Sequence, residues 1–74
     1  MTHTTKKRYR VFDAYDCYMS GEWEGKPELL GTSDCRQGVK NIVDDRREET
    51  DGEMYIIIWD SVKHREIDTY DKIE

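Results

Sequence analysis

The 74-residue chain is predicted to be one α+β domain, in which a mainly antiparallel sheet is covered on one face by a single helix. Three observations predict this class. An alternating aromatic segment lies near the start, one segment in the middle has apolar side chains at helical spacing, and a six-residue apolar run follows it. Together they predict the element order ββαββ.

The first predicted strand covers residues 8–17, where large apolar side chains alternate with other residues. Turn-forming residues follow at 20–21 and 24–27, and residues 28–32 return as a short second strand. Alternation puts one set of side chains on the same face of the first strand. That set is Tyr9, Val11, Asp13, Tyr15 and Cys17.

The predicted helix begins after an N-cap at Ser33 or Asp34 and ends near Thr50, where Gly52 can adopt the left-handed conformation. Gly38 is unfavourable inside a helix and is expected to mark a close approach to the sheet. The apolar stripe of this helix is narrow. It consists of Val39, Ile42, Val43 and the stem of Arg46.

Residues 54–59 predict a central strand because both of its faces are apolar, and residues 65–70 predict a final edge strand. One helix can cover only one face of such a sheet. We therefore expect an uncovered aromatic and aliphatic face that contacts a partner or a second copy of the chain, as a homodimer. The candidates for it are some of Tyr9, Val11, Tyr15, Tyr55, Ile57 and Trp59.

Charge divides the chain into a flexible basic arm, residues 1–7, and a single acidic domain, residues 8–74. The first ten residues hold four basic side chains and no acidic one, whereas the rest holds eight basic and 17 acidic side chains. An acidic body repels the phosphate backbone, so nucleic acid is not the expected partner. A protein partner with a basic surface fits this charge better.

Several function classes find no support in the sequence. The longest apolar run is six residues, far below the ~20 that cross a bilayer, and no signal-peptide core is present, so we expect a cytoplasmic protein without a membrane partner.

Cys17 and Cys35 lie 18 residues apart without paired histidines, which predicts no metal site and no cofactor. We expect reduced, buried thiols, Cys17 in a strand and Cys35 under the helix, with a single disulfide left open. No catalytic spacing is recognisable, and we predict no enzyme activity.

Acidic residues cluster at the end of the predicted helix. They are either a solvated face with local pairs to Arg46 and Arg47, or a binding surface for a basic partner that imitates the spacing of phosphates. Trp23, in the loop before the second strand, is either a lid over the sheet edge or an exposed anchor. The predicted partner-binding set is Asp44, Asp45, Glu48, Glu49, Asp51, Trp23, Tyr15, Tyr55 and Trp59.

A second interpretation is a small nucleic-acid-binding or regulatory module. In it, the aromatic sheet face would stack on bases and the basic side chains near the start would contact phosphates. Those side chains are Lys6, Lys7, Arg8 and Arg10.

The layout of these segments resembles small proteins carried by phages and integrated elements of Gram-positive bacteria. The resemblance covers most of residues 8–68, through residues 9–15, 29–33, 39–43, 49–53 and 55–60. Such proteins include anti-CRISPR and other anti-defence inhibitors, which are short, acidic and non-enzymatic and act by binding a host effector. The resemblance implies an inhibitor that occupies a basic nucleic-acid-binding surface of a host nuclease inside the bacterial cell.

Overall fold

A computed structural model of the chain describes residues 7–21 and 27–73. This part of the chain forms an α+β fold with a four-stranded antiparallel sheet and one main helix, as predicted. None of the helices described is both long and apolar enough to span a membrane. In chain order the elements are β1 (Tyr9–Asp13), α1 (Tyr15–Ser20), β2 (Glu28–Ser33), α2 (Arg36–Thr50), β3 (Ile56–Asp60), β4 (Arg65–Ile67) and a 3₁₀ turn (Tyr70–Lys72).

The strands lie in the order β2-β1-β3-β4, and every neighbouring pair is antiparallel. The central position of β3 and the edge position of β4 agree with the sequence. Since β2 and β3 flank β1, the helix α2 that connects them crosses over one face of the sheet. That crossing leaves the opposite face without the main helix.

The predicted order ββαββ is wrong at one point, because a short helix follows β1. The first strand ends at Asp13, and Tyr15 and Cys17 lie on α1 instead of continuing the strand. The Asp13 carboxylate accepts the backbone N–H groups of Tyr15 at 2.9 Å and of Tyr55 at 3.0 Å. An aspartate that bonds the backbone two residues ahead turns the chain, and the same oxygen of Asp13 also holds the distant Tyr55. The Ala14 N–H still donates to the Tyr55 carbonyl at 2.8 Å, and the chain leaves the sheet after this bond.

The core lies between α2 and one face of the sheet. Val39 of α2 is fully buried, as are Val11 of β1 and Ile58 of β3, which are cross-strand partners. Tyr9 and Val11 therefore face the helix and do not belong to the uncovered face. The other buried members of this core are Tyr9, Val43, Ile67 and Ile73.

The two ends of α2 differ in how well they were predicted. The N-cap is Cys35, an exposed residue, and not Ser33 or Asp34. Cys35 is thus not buried under the helix, because its backbone N–H is held by the Ser33 hydroxyl at 3.2 Å, one residue before the helix begins. The end at Thr50 is confirmed, with Asp51 and Gly52 both at positive φ.

Candidate functional site

The first candidate surface surrounds Arg46, which links α2 to two strands. Its Nε donates to Asp13 at the end of β1 at 2.8 Å, and its Nη2 donates to Glu28 at the start of β2 at 3.1 Å. Glu49, one turn further along α2, lies 3.5 Å from Nη1. The guanidinium therefore fixes the relative positions of three carboxylates from three elements.

Asp13 is buried at the base of this cluster and serves the fold. Burial by itself raises the pKa of its carboxyl, but the N–H of Tyr55, the Arg46 guanidinium and the N–H of Tyr15 outweigh burial and lower the pKa below its ordinary value. A carboxylate that stays ionised and has all these donors is poorly suited to accept a proton as a general base. The arrangement favours a structural role for Asp13.

Around Arg46 two clefts of about 450 and 250 Å³ share Glu28, Arg46 and Glu49 as lining residues, and together they make up a depression between α2, β2 and the start of α1. We call this depression the acidic groove. It is lined by six carboxylates and, in the part of the chain that the structure describes, by a single cationic side chain, Arg46. The carboxylates are those of Asp13, Asp16, Glu28, Asp45, Glu49 and Glu53.

The structure divides the five acids predicted from the helix end. Asp45 and Glu49 line the acidic groove and are exposed. Asp44 instead accepts from Lys40 at 2.7 Å and from Arg47 at 3.1 Å, and Lys40 lowers its pKa. The local pairs expected for Arg47 and Arg46 are present, with Asp44 and Glu49 as their partners. The remaining two, Glu48 and Asp51, are exposed outside the groove.

Besides Asp13, three other groove carboxylates were missed from the sequence. Asp16 lies on α1, Glu28 opens β2, and Glu53 follows the exit from α2. No local pattern connects these acids, since they come from three separate segments. The dense acidity of the folded body was the only signal for them.

The second candidate surface is the sheet face opposite α2, which we call the open face. Cross-strand pairing puts Arg10, Trp59 and Glu66 in one row and Phe12 and Ile57 in the next. These five residues line one shallow depression together with Pro27. The expected positions of Ile57 and Trp59 on the uncovered face agree with this arrangement.

The remaining predicted aromatic residues have different positions. Tyr55, 39% exposed, stacks on Tyr18 of α1 with ring centroids 4.8 Å apart, next to the open face. Tyr15 is on α1 and lines the acidic groove, because the chain leaves the sheet at Asp13. Trp23 lies outside the described residues.

Two of the basic side chains near the start of the chain, Lys7 and Arg8, are paired with acidic residues of the domain. Lys7 lies 3.3 Å from the Asp34 carboxylate. Arg8 donates to both oxygens of Asp60, at 3.0 and 3.1 Å. Arg10 is on the open face, and Lys6 lies outside the described residues. Because Lys7 and Arg8 are paired, less positive charge near the start of the chain is available to contact phosphates.

Within residues 7–21 and 27–73, no group of three or more His, Cys, Asp or Glu side chains is arranged so that it could hold a metal ion. Cys17 is buried and Cys35 is exposed, and neither of these two thiols is in a disulfide bond. The N–H of Gly38 and the Ser33 hydroxyl lower the pKa of the Cys35 thiol.

Comparisons with models of known protein families, with curated proteins and with solved structures found no match for the chain.

Proposed function

We propose that this protein is a non-catalytic binding protein whose acidic groove docks on a basic surface of a macromolecular partner. One observation carries the proposal: six carboxylates from separate parts of the chain line one groove that holds a single guanidinium. Charge of one sign gathered in a concave surface raises the rate of encounter with an oppositely charged partner. It also disfavours partners of the same sign.

The groove is prepared for binding before a partner arrives. Arg46 bonds Glu28 at 3.1 Å and lies 3.5 Å from Glu49, so these two exposed acids lose little freedom on association. Asp45 and Glu53 are exposed, and the structure gives neither of them an ion pair among the described residues. Both carboxylates are available to a lysine or arginine of the partner.

The class of partner follows from the resemblance of the sequence to phage-carried anti-defence proteins. We propose a host nuclease whose basic nucleic-acid-binding groove would receive the acidic surface. In this complex the acidic groove supplies the charge complementarity, and Tyr15, the aromatic residue that lines it, supplies apolar contact area.

The test is a pull-down from a bacterial host lysate with three immobilised baits. The groove variant carries Asp45→Lys and Glu49→Lys, and the matched control carries Glu48→Lys and Asp71→Lys, the same change in charge outside the groove. We expect the wild type and the control to recover the same basic protein at 50 mM salt, and the groove variant to recover at least about tenfold less. Equal recovery by both variants would exclude the acidic groove as the site that binds the recovered protein.

Salt gives an independent measurement on the recovered complex. Because the contact is made by exposed charges, raising the salt from about 50 to 500 mM is expected to weaken binding by at least about tenfold. An affinity that does not change with salt would contradict an electrostatic groove.

The alternative function, binding of nucleic acid through the arm and the aromatic face, is tested by a gel shift with single- and double-stranded oligonucleotides. The pairing of Lys7 with Asp34 and of Arg8 with Asp60 predicts no shift. A shift that Trp59→Ser abolishes would favour the alternative.

A further inference from the structure

The open face combines an apolar surface with a particular arrangement of charge. Arg10 on β1 and Glu66 on β4 are the direct cross-strand neighbours of Trp59 on β3. The backbone positions of Arg10 and Glu66 therefore lie on opposite sides of Trp59, each one strand spacing of roughly 4.8 Å away. No ion pair of Arg10 or Glu66 is found among the residues described.

The next row along the strands is apolar. Phe12 pairs with Ile57 on one side and with Leu29 on the other, and Leu29 is 53% exposed. Beyond it, the stacked rings of Tyr18 and Tyr55 extend the surface. The main helix packs on the opposite face. On the open face Phe12, Ile57 and Trp59 are half-buried, and Leu29, Tyr18 and Tyr55 are exposed beside them.

The row of Arg10, Trp59 and Glu66 can face the same row of a second copy with opposite charges in contact, but only under one symmetry operation. A two-fold axis that runs along the strands, midway between two stacked sheets, reverses the order of the strands in the second copy. Arg10 of one copy then lies opposite Glu66 of the other, and Trp59 lies opposite Trp59. An axis perpendicular to the strands would instead put Arg10 near Arg10, which like-charge repulsion disfavours.

We propose that two copies of this chain associate through their open faces about a two-fold axis along the strands. Each dimer then contains two ion pairs between Arg10 and Glu66 of different copies, around a centre of Phe12, Ile57 and Trp59. Sheets stacked in this way are about 10 Å apart, a distance that an arginine and a glutamate can bridge together. The interface is isologous, with the same surface used by both copies.

The size of the face sets the expected strength. Four strands of about five residues cover roughly 300 Å² per copy, or about 600 Å² over both copies, whereas stable complexes bury at least ~1,200 Å² in total. We therefore expect a weak, reversible dimer. Its register depends on the two ion pairs.

Sedimentation velocity from about 10 µM to 1 mM tests the proposal with two single variants, Arg10→Glu and Glu66→Arg. Each variant alone puts like charges opposite each other and is expected to dimerise at least about tenfold more weakly than the wild type. Mixed in equal amounts, the two variants regain both ion pairs and are expected to form a heterodimer of about wild-type affinity. This rescue distinguishes a direct pairing from a loss of fold.

Arg36→Glu, a charge reversal on the other side of the molecule, is the matched control and should leave the dimer unchanged. A mixture of the two variants that stays monomeric would overturn the proposal, as would a wild type that is monomeric at 1 mM. A monomeric wild type that binds a single-stranded oligonucleotide through Trp59 would assign the open face to nucleic acid instead. The dimer does not depend on the acidic groove, so the groove variant Asp45→Lys, Glu49→Lys should dimerise normally even if the proposed function fails.

Discussion

Asp60 shows how single buried carboxylates hold this small fold together. It is 1% exposed, and its oxygens accept two bonds from Arg8 and the backbone N–H groups of Val62 and Lys63. The Arg8 guanidinium lowers the pKa of Asp60 to about 2, against the effect of burial. A buried charge is tolerated only when it is satisfied in this way, so Asp60 joins the start of the chain to the turn after β3.

Replacing Asp60 by Asn is expected to lower the free energy of unfolding by about 2 kcal/mol, because Asn keeps the shape but loses the charge that faces Arg8. Chemical denaturation monitored by circular dichroism measures the loss. Asp34→Asn is the control, since Asp34 also binds this segment but is exposed, and its loss should be much smaller. Equal losses from both variants would contradict a special role for Asp60.

The two cysteines are expected to differ in reactivity. Cys35 is exposed, and the N–H of Gly38 and the Ser33 hydroxyl lower its pKa, whereas Cys17 is buried. Iodoacetamide should therefore modify one thiol per native chain, and its rate should rise at a lower pH than for an ordinary cysteine. Mass spectrometry identifies the site. Cys35→Ser should abolish the native reaction and Cys17→Ser should leave it unchanged, while equal labelling of both thiols would contradict the structure.

At the scale of elements, the contact between β2 and the first turn of α2 explains Gly38. A Cβ at Gly38 would come within 2.8 Å of the Ser33 Cβ and still closer to its hydroxyl. Ser33 is the last residue of β2, so its backbone cannot easily move away. The close approach of helix and sheet that the sequence suggested is confirmed.

Gly38→Ala is accordingly expected to destabilise the protein by about 1–3 kcal/mol through overpacking, although alanine is the better helix former. Thermal and chemical denaturation provide the measurement. The double variant Ser33→Gly, Gly38→Ala relieves the clash, and a double-mutant cycle should show a favourable coupling between the two sites. A stabilising Gly38→Ala would show that helix propensity dominates at this position.

At the scale of the whole molecule, the two candidate surfaces are built differently. The acidic groove collects carboxylates from α1, β2, α2 and the segment before β3, with Arg46 at its centre. The open face is mainly apolar, with one cation and one anion beside Trp59. Because the two surfaces are separate, the proposed basic partner and the proposed second copy would not compete for the same side chains.

Acid stability is a property of the whole fold. The folded-state pKa values of Asp13 and Asp60 are both below the unfolded value, and that of Asp60 is about 2. Their contribution to stability is therefore fully present above about pH 4 and is lost as the pH falls through about 2. Tm measured from pH 7 to pH 2 should decrease in this window. Asp60→Asn should show a smaller decrease, and a Tm that stays constant down to pH 2 would contradict the linkage.

Most of the fold could be predicted because its signals are local. Apolar side chains at helical spacing indicated α2 and its end at Thr50, and the apolar run before Asp60 indicated a central strand. The boundary of β1 could not be predicted, because alternation continues to Cys17 and the turn depends on the bonds of Asp13 to distant groups. Among the carboxylates that line the acidic groove, only Asp45 and Glu49 were predicted as binding residues. The others could not be predicted because they come from separate segments of the chain.

The sequence by itself determined the α+β class, the antiparallel strands, the single main helix and an acidic body, because periodicity, turn residues and charge act over a few neighbouring positions. The tertiary structure decided which carboxylates share a groove, which cations are neutralised and which sheet face stays open. These outcomes depend on pairs such as Arg46 with Asp13 and Arg8 with Asp60, which are 33 and 52 positions apart. Folding brings these residues together, and no local pattern in the chain encodes their distance.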